Sequence, residues 1–176
     1  MTSPRRSSFK RARRPTIATR HGDGGQTRLP ACGEVPKHHP RVQVLGALDE
    51  LVCALGLARA TRGLDPQLRT EIAALERNLF RLGSGLAGTR SAGPIARALL
   101  ARWSRRCAAL ERTLAWPAGF VLPGASEAGA RLDLARAVAR RLERHVSALG
   151  ASDAIPASLL AALNRLSDYL WLLARA

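Results

Sequence analysis

Apolar residues recur at helical spacing through most of this chain. Val44, Leu48, Leu51 and Leu55 follow one another at intervals of four, three and four. That spacing lays one stripe along a helix and predicts a first helix from about Arg41 to Arg62. Asp65-Pro66 then reads as an N-cap followed by proline at the first helical position. Behind it Leu68, Ile72, Leu75, Leu79, Leu82 and Leu86 make an unbroken heptad seam for a second helix. A third is predicted from near Pro94, carrying Leu99, Trp103, Cys107, Leu110 and Leu114 and ending at Pro117. Ser126 is placed to cap a fourth, with Ala135, Val138, Leu142, Val146 and Leu149 on one face and Gly150 closing it. Leu159, Leu163, Leu166, Leu170 and Leu173 form the stripe of a fifth helix after Pro156. Long amphipathic helices joined by short links predict an all-α, five-helix bundle. No alternating strand pattern stands out, and residues 16–19 read at most as a short extended piece.

Composition agrees with that class. The chain has 176 residues, enough for one domain with a real core, and is 47% hydrophobic but only 4% aromatic. Its net charge of +15 changes the picture at the start, where Arg5, Arg6, Lys10, Arg11, Arg13 and Arg14 stand without an acid. Residues 1–15 therefore read as a disordered basic tail ahead of a helical domain over 16–176. A weak nucleic-acid contact and an organelle-targeting peptide are the other readings of the tail. The charge spread over the body favours an anionic ligand. No run approaches the roughly 20 apolar residues of a membrane span, and the N-terminus lacks the apolar core of a secretory signal. Cys32, Cys53 and Cys107 are far apart and give no metal-ligand spacing, so free and mostly buried thiols in a reducing cytoplasm are expected. His38 and His39 lie between Pro36 and Pro40 and read as a solvated loop.

Two segments carry candidate chemistry. Thr19-Arg20-His21-Gly22-Asp23-Gly24-Gly25-Gln26-Thr27 is a glycine-rich loop. Its backbone can come close to a ligand and aim N–H groups at it, while Thr19, Thr27 and Arg20 add donors suited to phosphate oxygens. Asp23 supplies a carboxylate for a turn or a nearby cation. The loop lacks the Gly-Lys-Ser/Thr ending of a Walker A motif, and a plain surface turn is its other reading. On the fourth helix Asp133, Arg136, Arg140 and Glu143 form a stripe predicted to lie well away from the apolar one, flanked by Arg141 and Arg144. Arginines one turn apart can clamp a polyphosphate, with Glu143 holding one of them; a charged face of internal ion pairs is the alternative. Asp49, and Asn164 with Asp168 one turn later, are polar groups placed to act between helices.

Taken in order, these pieces resemble a known family. Thr19-Arg20-x-Gly22-Asp23-x-Gly25-x-Thr27, Lys37, and Arg41-Val42-x-x-x-Gly46-x-Leu48-Asp49-Glu50-Leu51 are similar to the human-type, or propanediol-utilisation-type, ATP:corrinoid adenosyltransferases. The likeness continues through Asn78-Leu79-Phe80-x-Leu82-Gly83-Ser84 and Phe120-Val121-Leu122-Pro123-Gly124. It ends with Arg136-x-x-x-Arg140-Arg141-x-Glu143-Arg144 and Leu163-Asn164-Arg165-Leu166-Ser167-Asp168-Tyr169-Leu170, covering about residues 16–176. The resemblance implies a homotrimer with active sites between subunits. There the 5′-deoxyadenosyl group of ATP passes to cob(I)alamin and triphosphate leaves.

On that resemblance Thr19, Arg20, Gly22, Asp23, Gly25 and Thr27 wrap the triphosphate. Lys37, Arg136, Arg140 and Arg141 offset its charge, with Mg²⁺ accompanying the nucleotide and no metal cluster in the protein itself. Asp49 pairs with Arg136 across the subunit interface, and Glu143 and Asn164 hold ATP or its neighbours. Phe120 crowds the lower face of the corrin. A cobalamin reductase or an adenosylcobalamin-dependent mutase is the implied protein partner; membrane and nucleic acid are not. The usual family pattern differs at His21, Glu34, Val52, Cys53 and Asp133. These positions motivate the alternative of a divergent paralogue that binds cobalamin or ATP as a carrier or regulator. A basic helical nucleic-acid-binding protein is the third reading, without a recognised motif.

Overall fold

The computed structural model describes residues 17–88 and 92–176. The basic tail and the start of the domain at residue 16 lie outside the described residues. In chain order these form β1 (Gln26–Leu29), β2 (Gly33–Pro36), α1 (Pro40–Arg59), α2 (Pro66–Leu86), α3 (Ala92–Glu111), α4 (Glu127–Leu149) and α5 (Ala157–Leu173). The five helices close a ring: α1 packs on α2 and α4, α5 packs on α4 and α3, and α2 meets α3.

Each predicted stripe is the buried one. Val44, Leu48, Leu51 and Leu55 of α1 meet Leu132, Ala135, Val138 and Leu142 of α4 in one core with Leu159, Leu163, Leu166 and Leu170 of α5. A fully buried leucine contributes about 1.5–3 kcal/mol. Helix propensities among these residue types differ by only tenths of a kcal/mol, so packing decides the assembly. The caps also fall where the sequence puts them. Asp65 accepts from the Leu68 N–H at 2.9 Å, and Ser126 accepts from the Gly129 N–H at 3.0 Å.

Four expectations are corrected. A two-stranded antiparallel hairpin precedes the bundle, pairing Gln26 with Pro36 and Leu29 with Gly33. Each strand offers a single buried apolar residue, Leu29 or Val35, too little to register as alternation. α3 stops at Glu111, not Pro117, because the Thr113 hydroxyl and the Trp116 indole N–H donate to the Leu110 and Glu111 carbonyls, at 3.2 and 3.4 Å. Gly150 ends α4 in a right-handed conformation (φ −62°), so its glycine freedom is not what closes that helix. Only Cys107 is buried, whereas Cys32 and Cys53 are exposed.

Burial pushes the Cys107 thiol up to about 11. A thiol that stays protonated and covered does not attack. Two thiols per chain are therefore expected to react with a chromogenic disulfide reagent at about pH 8, and Cys107 only after denaturation. Three fast thiols would mean that α3 opens readily.

Two close backbone approaches fix the ends of the ring. Gly88 has φ +90°, and a Cβ there would lie 2.3 Å from the Ala31 Cβ and 2.8 Å from its Cα and N. The Ala31 N–H donates to the Ala87 carbonyl at 3.1 Å, pinning the hairpin turn to the end of α2. At the opposite end, a Cβ on Gly129 would lie 2.8 Å from the Ala174 carbonyl oxygen, so α5 ends directly against the start of α4. Between α2, α3 and α5, Tyr169 donates to Glu71 at 2.5 Å and accepts from Arg106 Nε at 3.3 Å. Burial and the bond to Glu71 hold this phenol well above its usual range.

Candidate functional site

The glycine loop forms the foot of the hairpin. Gly25 has φ +77°, and its carbonyl accepts from the Lys37 N–H at 2.9 Å. The turn is drawn in by Asp23 N–H donating to Arg20 at 3.2 Å and Gly25 N–H donating to Gly22 at 3.1 Å. Arg20 has φ +61°, an uncommon conformation for a side chain that bulky. The Lys37 ammonium folds over the loop: its Nζ lies 3.0 Å from where a Cβ on Gly22 would stand. The N–H groups of Gly22 and Gly24 make no hydrogen bond to other described residues. Unpaired backbone N–H groups beside a lysine ammonium are donors suited to an anion. Thr19, Arg20 and Asp23 are exposed beside it, and Thr27 is half-buried at the start of β1. The Thr19 carbonyl and His21 Nδ1 are 3.1 Å apart, so His21 faces back along the chain.

The hairpin delivers this loop to the N-terminus of α1. His39 caps that helix by accepting from the Arg41 N–H at 3.2 Å, a defined role where the sequence offers only a solvated loop. Arg41 donates to the Leu86 carbonyl at 2.7 Å and is ion-paired with Asp153. It thereby ties together the ends of α1, α2 and α4 at the loop's end of the bundle.

α4 carries the second set. Arg141 is ion-paired with Glu50 of α1, on the outer surface. Glu143 accepts from Asn164 of α5 at 3.2 Å. Arg140 is exposed and has no ion pair among the described residues, and the same is true of Asp49 on α1. Asp168 pairs with Arg165 at 2.9 Å instead of acting with Asn164.

The charged stripe does not lie clear of the core. Asp133 is 7% exposed, 3.2 Å from Arg136 and 3.3 Å from Arg175. Helical periodicity alone does not foresee this, because Arg175 arrives from the far end of the chain. Phe120 stands in the segment between α3 and α4 and is 93% exposed, with Leu122 exposed beside it.

Within one chain the loop and the α4 arginines do not meet. No hydrogen bond or ion pair joins residues 19–27 to α4 among the described residues. Arg136 lies about 20 Å of helix away from the α4 end that Arg41 reaches. Among the described residues no group of His, Cys, Asp and Glu could hold a metal, and no helix is long and apolar enough to cross a membrane.

Residues 17–176 match the family model described as cobalamin adenosyltransferase. The chain is 39% identical over 165 residues to the corrinoid adenosyltransferase PduO of Salmonella typhimurium, a match covering 91% of this chain and 49% of that protein. It thus spans about half the length of the first curated relatives it matches. With the cobalamin adenosyltransferase of Cupriavidus metallidurans the identity is 37%, covering 90% of this chain and 86% of the relative. Among solved structures, a variant of a PduO-type ATP:corrinoid adenosyltransferase from Lactobacillus reuteri, complexed with cobalamin and ATP, superposes with a TM-score of 0.81. It is 27% identical, and the match covers 91% of this chain and 89% of that one.

Proposed function

We propose that this chain, which belongs to the cobalamin adenosyltransferase family, transfers the 5′-deoxyadenosyl group of ATP to cob(I)alamin. The observation that carries the reading is the likeness over nine-tenths of the chain to a structure holding both ATP and cobalamin. In the transfer, Co(I) attacks the 5′ carbon of ATP. A Co–C bond forms, the C5′–O bond breaks, and triphosphate leaves with the electron pair. Co(I) is itself the nucleophile, so the protein supplies position and charge.

The seat made by Gly22, Gly24, Gly25 and Lys37 takes the triphosphate, with Thr19, Arg20 and Thr27 as further donors. Asp23 is the carboxylate placed to meet Mg²⁺ travelling on the nucleotide, where the ion adds charge neutralisation. Arg136, Arg140 and Arg141 hold the leaving triphosphate, with Glu143 and Asn164 fixing the neighbouring surface. Because loop and arginines stand apart in one chain, the complete site forms between subunits of a homotrimer, where Asp49 of one chain meets Arg136 of the next. Phe120 covers the lower face of the corrin. The domain proper follows the basic residues 1–15 in sequence, and the enzyme works in the cytoplasm, next to a reductase that supplies cob(I)alamin or a mutase that takes the product.

The test is anaerobic. Purified protein with chemically reduced cobalamin, ATP and Mg²⁺ is expected to lose the cob(I) absorbance while releasing one triphosphate per adenosylcobalamin. Binding of ATP without triphosphate release would replace the enzyme with the carrier.

A further inference from the structure

We propose that Trp116, Trp171, Arg175 and Asp133 form a positioning chain that sets Arg136 according to the placement of the segment carrying Phe120. The inference rests on the function proposed above and adds residues that it does not assign. It starts from a buried carboxylate. Asp133 Oδ1 accepts from Arg136 Nε at 3.2 Å and from Arg175 Nη1 at 3.3 Å, and Oδ2 accepts from Arg175 Nη2 at 3.3 Å. A carboxylate this covered is costly unless cations satisfy it, so its two arginines are held in place.

Arg136 spends only Nε on Asp133. Its two terminal nitrogens have no partner among the described residues. The guanidinium is therefore aimed from behind, with its fork left open for phosphate oxygens or a second carboxylate.

Arg175 is fixed in turn. Nη1 donates to the Trp171 carbonyl at 2.8 Å, and the guanidinium carbon lies 4.1 Å from the centroid of the Trp171 ring. Cation–π contact of this kind favours one orientation of the planar group. The Trp171 ring stacks on Trp116, with centroids 5.9 Å apart and planes at 28°. Trp116 stands four residues before Phe120, anchored by its indole N–H to the Glu111 carbonyl at 3.4 Å. The close approach of Gly129 to Ala174 brings Arg175 within reach of Asp133. A displacement of the Phe120 segment thus moves Trp116, and through two ring contacts and one carboxylate it moves Arg136.

The experiment measures ATP affinity by calorimetry and the kcat and KM for ATP in the anaerobic assay. The variants are Asp133→Asn, Trp116→Ala, Trp116→Phe and the double variant Asp133→Asn with Trp116→Ala. Helical circular dichroism and assembly size serve as controls. Asp133→Asn is expected to weaken ATP about 10-fold, since Arg136 loses its backing charge. Trp116→Ala is expected to weaken ATP by roughly 3- to 10-fold although it lies on the segment between α3 and α4, away from the loop and the arginines, and Trp116→Phe to restore it. The double variant should be no weaker than Asp133→Asn alone, the signature of residues acting in series. If Asp133→Asn does not fold, the exposed Trp116 still decides the matter. Wild-type protein that binds ATP while Trp116→Ala binds it equally well overturns this inference alone, as do strictly additive effects. Wild-type protein that does not bind ATP overturns the proposed function and this inference with it.

Discussion

Arg136→Ala is expected to lower kcat/KM by roughly 100-fold, the usual scale for removing one donor aimed at developing charge, with little loss of thermal stability. Arg136 is the α4 arginine that is oriented by a buried acid while its terminal nitrogens have no partner among the described residues. Its removal takes away charge that matters most as the C5′–O bond breaks and the triphosphate becomes a leaving anion. The fold is spared because Asp133 keeps Arg175 at 3.3 Å and because the Arg136 side chain is only partly covered. Arg136→Lys should fall between the two. An ammonium is a single point of charge and cannot offer both the contact to Asp133 and an open fork. The measurement is the anaerobic rate beside a melting curve. A wild-type rate in Arg136→Ala would remove this residue from the site.

Trp103→Ala is expected to cost about 3–5 kcal/mol of folding stability, the largest single loss in the core. Trp103 is fully buried on α3, where the ring reaches the shared core of the bundle. The cavity left behind cannot close, since its walls are helices already fixed on both flanks. A change of that size lowers the melting temperature by roughly 6–20 °C in a chain of this length. Trp103→Phe should be far milder. The indole N–H of Trp103 is buried without a hydrogen-bond partner among the described residues, so phenylalanine keeps most of the ring and removes an unsatisfied donor. Melting curves of the two variants check both halves. Equal losses in the two would mean that the indole N–H is satisfied in solution.

The helical part of the fold was legible because its signal is periodic and local. Leu68 to Leu86 on α2, or Leu159 to Leu173 on α5, fix the buried face without reference to anything else in the chain. The hairpin was not, because its pairing depends on the Leu29–Gly33 turn and on an anchor at Ala87 that belongs to another element. The same division runs through the candidate site. The glycine loop is one continuous segment, and the donors it offers can be read from residues 19–27 alone. The environment of Asp133 cannot. Its partner Arg175 lies 42 positions away, and Trp116 is linked to α4 through Trp171 and Arg175. Adjacent positions on a helix likewise do not say that Arg141 turns toward α1 while Glu143 turns toward α5.

The two glycines at the ends of the ring also bear on how this sequence can change over time. Most steric faults can be relieved by trimming whatever stands opposite. At Gly88 that route is closed: Ala31→Gly would remove one methyl group and still leave backbone atoms 2.8 Å from any new Cβ. At Gly129 a new Cβ meets the Ser126 hydroxyl at 2.9 Å and the carbonyl oxygen of Ala174 at 2.8 Å, and trimming Ser126 leaves the second, which every amino acid carries. A suppressor screen started from a side chain at either position has no partner residue to shrink. Recovery there requires a shift of a whole helix end, which single substitutions rarely provide. A side chain at either site is therefore expected to persist as a defect through single-step suppressor selection.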